Sequence, residues 1–158
     1  MDTGKLLGIA IREQSRAAMS ELTTALVTAN FGCQNDFRGK PGQRQVTILS
    51  REAWEAACAE IGESLDWTTR RANLLVEGFD LKHSQGATVT IGELVLLVTG
   101  ETDPCGRMVE AHPKLKDALT PGWRGGALCR VVRDGQISVG DSVTFLPKED
   151  SAMGSGDG

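Results

Sequence analysis

The chain is short of the residues that build several common kinds of site. Four cysteines, Cys33, Cys58, Cys105 and Cys129, are scattered through 158 residues with no C-x-x-C pair. Only two histidines, His83 and His112, accompany them. Zinc-ligand spacing is therefore absent, and no zinc is expected. A disulfide framework is not expected at this length in a reducing compartment. A protease-like thiol–imidazole pair is short of imidazoles. Basic residues are also in deficit: 17 Lys and Arg face 21 Asp and Glu, for a net charge of -4. Such a surface offers phosphate backbones no general attraction, which argues against nucleic acid as a partner. The longest apolar run, residues 94–98, is the size of a strand and far short of a membrane-spanning helix. The first residues, Met1-Asp2-Thr3-Gly4-Lys5, lack the basic-then-apolar form of a secretory signal. The expectation is a cytoplasmic protein that does not engage a membrane.

Glycine is plentiful, at 19 residues, and helices avoid it, so strands and tight turns are expected to dominate. The length suits one domain, placed at residues 1–148, with residues 149–158 as a flexible tail. Strand patterns fall at residues 5–12, 22–31, 43–49, 74–76, 86–98 and 127–133. Asp134-Gly135 reads as a hairpin turn that returns residues 136–139 beside 127–133. Ser50 has the character of a helix N-cap, with Trp54, Ala57, Cys58 and Ile61 on one apolar face and Gly62 as the stop. A second helical pattern, residues 108–119, is interrupted by His112-Pro113 and should break in two. His112 itself suits capping or packing better than base catalysis. The sum is six to eight strands, mostly antiparallel, in a closed or nearly closed β-barrel with a few short helices outside.

Chemistry concentrates in Thr99-Gly100-Glu101-Thr102-Asp103-Pro104-Cys105-Gly106-Arg107-Met108. Asp103-Pro104 has the form of a helix start, with an acceptor at N-cap and proline at N1. Cys105 then falls at N2, where backbone N–H groups and the helix dipole favour a thiolate. Arg107 adds to that effect, while Glu101 and Asp103 oppose it. A thiolate there can attack an electrophile, carry sulfur as a persulfide, or bind a soft metal. Arg124-Gly125-Gly126 complements it, since two glycines let backbone N–H groups converge on an anion and the arginine adds a fork of donors. A plain glycine bend entering a strand is the competing reading. With Arg44, Arg71 and Arg130 it would form a basic pocket in an acidic protein. The adjacent Arg70 and Arg71 read either as a solvated face or as anion donors. Asn73, just before a strand, has an amide able to reach a neighbouring loop.

Taken together, Arg44-Gln45-Val46-Thr47, residues 71–78, the cysteine loop and Trp123-Arg124-Gly125-Gly126 resemble the MOSC domain, the C-terminal domain of molybdenum cofactor sulfurases. The resemblance runs over residues 4–145. It implies a β-barrel that binds the pterin-based molybdenum cofactor (molybdopterin), with Cys105 as metal ligand or sulfur-handling residue. Arg44, Asn73, Arg107 and Arg124, with Gly125 and Gly126, would line the pterin phosphate or support the loop. The implied activities are sulfur transfer or reduction of N-hydroxylated compounds; a non-catalytic carrier that delivers sulfur or cofactor is the alternative. A plain interaction barrel with a structural Cys105 is a third reading. One departure is Asn35-Asp36, where relatives often have Gly-Asp before the Arg-Gln-Val-Thr strand. No pyridoxal-phosphate desulfurase domain fits in these residues, so a desulfurase or redox partner would be a separate protein.

Overall fold

A computed structural model describes residues 2–14, 18–36, 41–102 and 106–148, with the side chains of residues 106 and 107 excepted. The expected tail, residues 149–158, and the expected helix start at Asp103-Pro104-Cys105 lie outside the described residues. In chain order the strands are β1 (Asp2–Ile11), β2 (Ser20–Leu22), β3 (Thr24–Thr28), β4 (Gly32–Cys33), β5 (Val46–Ser50), β6 (Leu74–Glu77), β7 (Thr88–Ile91), β8 (Leu94–Glu101), β9 (Ala127–Arg133), β10 (Gly135–Ser138) and β11 (Ser142–Leu146). The helices are α1 (Arg51–Ile61), α2 (Gly106–Ala111) and α3 (Leu115–Leu119). Two single 3₁₀ turns, Trp67–Arg70 and Pro121–Trp123, complete the list.

Seven strands close into a barrel in the order β1-β11-β7-β8-β9-β5-β6, with β6 returning to β1. Closure leaves no free edge within the ring, and β2 adds one strand beside β1. Every barrel pair is antiparallel except β5–β6. A parallel pair needs a crossover, and α1 supplies it. The mostly-β barrel with few short helices is thus the architecture expected from the sequence. More strands form than expected because two- and three-residue pairings such as β4 and β2 carry no periodic signal. The small sheet β10-β3-β4 sits at the end of the barrel where β1 stops: Asp36 accepts the Arg12 amide at 3.0 Å. Its inward residues Ala25, Val27, Cys33 and Ile137 join the barrel's own core with Leu6, Ile48, Leu96 and Val143.

The hairpin expected at Asp134-Gly135 does not form. β9 pairs with β5 and β8, whereas β10 pairs with β3 in the small sheet. Asp134 instead accepts the Ala29 amide at 2.8 Å, and Gly135 lies so close to β8 that a Cβ would be 2.4 Å from the Leu94 nitrogen. The glycine permits a close approach between sheets, not a two-residue turn. The stretch 22–31 likewise divides at Thr23, where the chain leaves the barrel edge for the small sheet.

A second apolar cluster joins the barrel's outer face to the helices. Leu49 and Leu75 from the strands meet Trp54, Ala57 and Cys58 of α1, Met108, and Leu115 and Leu119 of α3. The α1 caps are those the sequence indicates: Ser50 accepts the Ala53 amide at 3.3 Å, and Gly62 turns left-handed at φ 73. The break at His112-Pro113 separates α2 from α3. His112 Nδ1 accepts the Lys114 amide at 3.1 Å and its Nε2 faces Glu63 at 2.9 Å, so both ring nitrogens serve this junction.

Candidate functional site

The end of the barrel opposite the small sheet gathers the C-terminal ends of β5, β6 and β8 and the start of β9. Thr102, the last described residue before the cysteine loop, is buried there. The residue that holds it is Arg70, at the end of the first 3₁₀ turn and only 8% exposed. Arg70 Nε donates to the Gly125 carbonyl at 2.8 Å, and its Nη2 donates to the Thr102 hydroxyl. That hydroxyl in turn donates to the same Gly125 carbonyl at 2.7 Å, and the Thr102 amide donates to the Gly126 carbonyl at 3.1 Å. A buried guanidinium thus latches the stem of the cysteine loop to the Arg-Gly-Gly bend. Neither sequence reading of the Arg70–Arg71 doublet, solvated face or anion donor, describes this: Arg70 is buried and donates to the protein's own oxygens. A doublet in sequence does not reveal which member is buried; the polar Thr102 at the end of an apolar strand was the available hint.

Gly126 is required by contact, and Gly125 is closely packed. A Cβ on Gly125 would lie 3.1 Å from the Thr102 carbonyl oxygen and 3.5 Å from Arg70 Nη2. Gly126 has φ 107, and a Cβ there would meet the Ile48 carbonyl oxygen at 2.4 Å. Arg124 is half-buried, and its Nη1 donates to Glu60 at 3.1 Å and to the Ala118 carbonyl at 3.0 Å. It therefore also closes the C-terminal end of α3. Beside it Trp123 and His83 both take left-handed backbone conformations, at φ 60 and 55, and their rings meet edge-on at 6.2 Å. Two non-glycine residues of positive φ side by side form a costly arrangement of the kind found at binding sites.

Arg124 lines a cleft of about 620 Å³ with Ser50, Glu52, Phe79, Lys82 and Pro121, a volume suited to a small-molecule ligand. Glu52 is tethered on its rim. Its carboxylate accepts the Gly78 amide at 2.9 Å and the Ser50 hydroxyl at 3.2 Å. Burial pushes this carboxyl up, but the amides of Gly78 and Glu52, the Ser50 hydroxyl and Arg51 outweigh it, and the net direction is down. A depressed carboxyl stabilises the fold above its unfolded value, and that contribution is lost as pH falls through the folded value. Wild type is expected to exceed Glu52→Gln in stability by under about 1 kcal/mol at neutral pH, since the group is largely exposed. The gap should close on acidification below the ordinary carboxyl value of 4.5. Urea midpoints of the two proteins from neutral to acid pH test this; a constant gap contradicts it.

The remaining candidates are dispersed. Cys105 lies outside the described residues, and Arg107 is described only as part of the α2 backbone. Asn73 spends its amide within the barrel: Oδ1 accepts the Thr47 amide at 3.0 Å and Nδ2 donates to the Ala10 carbonyl at 3.2 Å. It pins β5 to β1 and does not reach a loop. Arg44 lines a different cleft, on the outer face of β8 and β9, and Arg130 is exposed opposite Leu97 on that side. Of the arginines expected to share one basic pocket, Arg124 and Arg44 thus line different clefts. Cys33 and Cys129 are fully enclosed in the barrel core, where burial pushes both thiols up, and Cys58 is buried under α1. Among the described residues no group of three or more His, Cys, Asp or Glu is placed to hold a metal.

Residues 22–144 match the profile of the MOSC domain. The chain belongs to the MOSC domain family. The chain also matches the solved structure of the YuaD protein from Bacillus subtilis, with a TM-score of 0.79 and 21% identity over 94% of this chain and 100% of that one. YiiM from Escherichia coli superposes with a TM-score of 0.70 and 14% identity, covering 94% of this chain and 76% of its own. YiiM from Geobacillus stearothermophilus gives 0.64 and 15%, covering 92% and 73%. At these identities the likeness establishes the MOSC fold alone. No curated protein sequence matches the chain.

Proposed function

We propose that this MOSC protein binds the pterin-based molybdenum cofactor at the barrel mouth and uses Cys105 as the thiolate that meets the metal or handles sulfur. The observation that supports the reading is the Arg70 latch, which holds the stem of the cysteine loop against the Arg-Gly-Gly bend. The glycine bend supports the reading. Gly125 and Gly126 keep the bend free of side chains, and Arg124 borders the adjacent cleft. A ligand that brings its metal already chelated asks the protein for one thiolate and for anion donors. Cys105 would supply the thiolate, Arg107 and Arg124 the positive charge, and Asn73 the rigidity of β5 behind the bend. When bound, the cofactor supplies a centre able to carry sulfur or exchange electrons.

Two outcomes follow from the same site. In sulfur transfer, a separate desulfurase loads the site and an acceptor enzyme unloads it. In reduction, an N-hydroxylated compound loses its hydroxyl as water, consuming two electrons and two protons from a partner reductase. A carrier would bind reversibly and show no turnover of N-hydroxylated compounds with a reductase present.

Alkylation kinetics separate these readings from a purely structural cysteine. At neutral pH Cys105 is expected to react faster than an unperturbed thiol, while the buried Cys33, Cys58 and Cys129 stay protected in the native state. Peptide mapping of the labelled sites gives the rates. A Cys105 rate no higher than that of a free thiol would count against a working thiolate.

A further inference from the structure

The second cleft has a lining that the mouth does not explain. It lies on the outer face of β8 and β9, encloses about 720 Å³, and is lined by Gln43, Arg44, Gln85, Thr99 and Lys148 among its polar residues. Among the described residues no carboxylate lines it, although acids outnumber bases 21 to 17 in the chain. The described ion pairs are Arg51–Glu77, His112–Glu63, Arg124–Glu60 and Arg133–Glu93. Arg44 and Lys148 enter none of them. Arg130 is exposed on β9 directly opposite Leu97, one of the cleft's apolar residues, and adds positive charge beside it.

Both walls are fixed by the fold. The Thr99 hydroxyl donates to the Gln43 carbonyl and also lies 3.2 Å from the Leu128 carbonyl, which holds the segment carrying Arg44 against the barrel. On the other wall the stem of Lys148 lies over Gly86. A Cβ on Gly86 would be 2.7 Å from Lys148 Cδ and 3.1 Å from its Cγ. Gly86, at φ 90, is itself anchored by its amide to the Val98 carbonyl at 2.8 Å. An arginine fork, an ammonium and two side-chain amides can donate to several oxygens at once. That donor count suits a phosphoryl group better than a planar carboxylate.

We propose that this cleft is a phosphoryl-binding site in which Arg44 and Lys148 hold the anion from opposite walls. The ligand is a phosphorylated small molecule, and the half-buried Leu97 and Leu128 receive its less polar part. A polyanion is disfavoured by the net charge of -4. The site requires neither Cys105 nor molybdenum, so it stands or falls separately from the function proposed for the mouth. The phosphoryl group can belong to a free metabolite or to the phosphate end of a cofactor seated at the mouth.

Titration of cofactor-free protein with inorganic pyrophosphate, at ionic strength held constant with chloride, tests the site through backbone amide NMR shifts. Saturable shifts are expected at Arg44, Gln85, Gly86 and Thr99. Arg44→Ala and Lys148→Ala should each weaken binding by about tenfold or more, the value of one charge-assisted contact. Arg133→Ala, which removes an equal charge paired to Glu93 elsewhere, should leave the affinity unchanged. Cofactor-loaded protein distinguishes the two sources: unchanged pyrophosphate affinity points to a separate metabolite, and lost affinity points to the cofactor's own phosphate. Absence of saturation at millimolar pyrophosphate overturns the proposal. Equal weakening by Arg44→Ala and Arg133→Ala also overturns it, since that is the signature of general screening.

Discussion

Arg70→Ala is expected to destabilise the protein by about 3 kcal/mol, a loss of roughly 6–12 °C in melting temperature for a chain of this size. The side chain is buried, and it donates to the Gly125 carbonyl and the Thr102 hydroxyl, neither of which water readily reaches. Truncation removes charge-assisted bonds worth about 1.5–3 kcal/mol each and opens a cavity where the guanidinium stood. Part of the loss is offset, because Thr102 still donates to Gly125. Arg70→Lys keeps the charge and loses the fork, so it should recover only part of the stability. Arg70→Met removes the cost of burying a charge and fills most of the space; its expected loss is about 1–2 kcal/mol. The gap between Ala and Met, both without charge or donors, measures the lost packing, and the gap between Met and wild type measures the lost charge and hydrogen bonds. A cost under about 0.5 kcal/mol for alanine would mean that the latch is not structural. The latch also makes a functional prediction: Arg70→Met should lose cofactor retention out of proportion to its stability, because only the Thr102 bonds to Gly125 and Gly126 still tie the two mouth loops.

Gly126→Ala is expected to cost about 4 kcal/mol or to prevent folding. Two penalties coincide there. At φ 107 an L-residue is strained, and the new methyl would stand 2.4 Å from the Ile48 carbonyl oxygen and 3.6 Å from the Leu49 Cα. That neighbour is backbone in β5, which pairs with β9 at Ile48 and Ala127 and with β6 at Ile48 and Leu74, so it has little room to yield. Gly122→Ala provides the control. It also has positive φ, at 63, but nothing lies within 4 Å of its Cβ position. Its expected cost is the left-handed penalty alone, about 1 kcal/mol. Urea unfolding of both variants measures the difference. Equal costs would show that backbone conformation, and not close approach, accounts for the glycine at 126.

The parts of this molecule that were legible in sequence are those with local causes. The caps of α1 follow from Ser50 and Gly62, and the break between α2 and α3 follows from Pro113. Barrel strands announced themselves by apolar and β-branched runs, and the shortage of helix with abundant glycine indicated a closed β fold. What stayed hidden depends on residues far apart in the chain. Asp134-Gly135 has the composition of a hairpin turn, yet its glycine is spent on the approach to Leu94 and its aspartate on Ala29. Asn73 looked like a residue reaching out to a loop, and its amide proved to be a bridge between Thr47 and Ala10. Arg70 and Arg71 are neighbours of the same chemistry, but Arg70 is buried and donates to Gly125 while Arg71 is half-buried. Arg44 and Arg124 were visible as basic residues, but that they line different clefts depends on contacts between distant parts of the chain.

The measurement that bears most directly on the account is the molybdenum and pterin content of protein produced in a host able to make the cofactor. Wild type is expected to purify with molybdenum and pterin in equal amounts, and Cys105→Ser with less than about a tenth of the metal, since a hydroxyl replaces the soft donor. Near-zero molybdenum in both proteins would contradict the account.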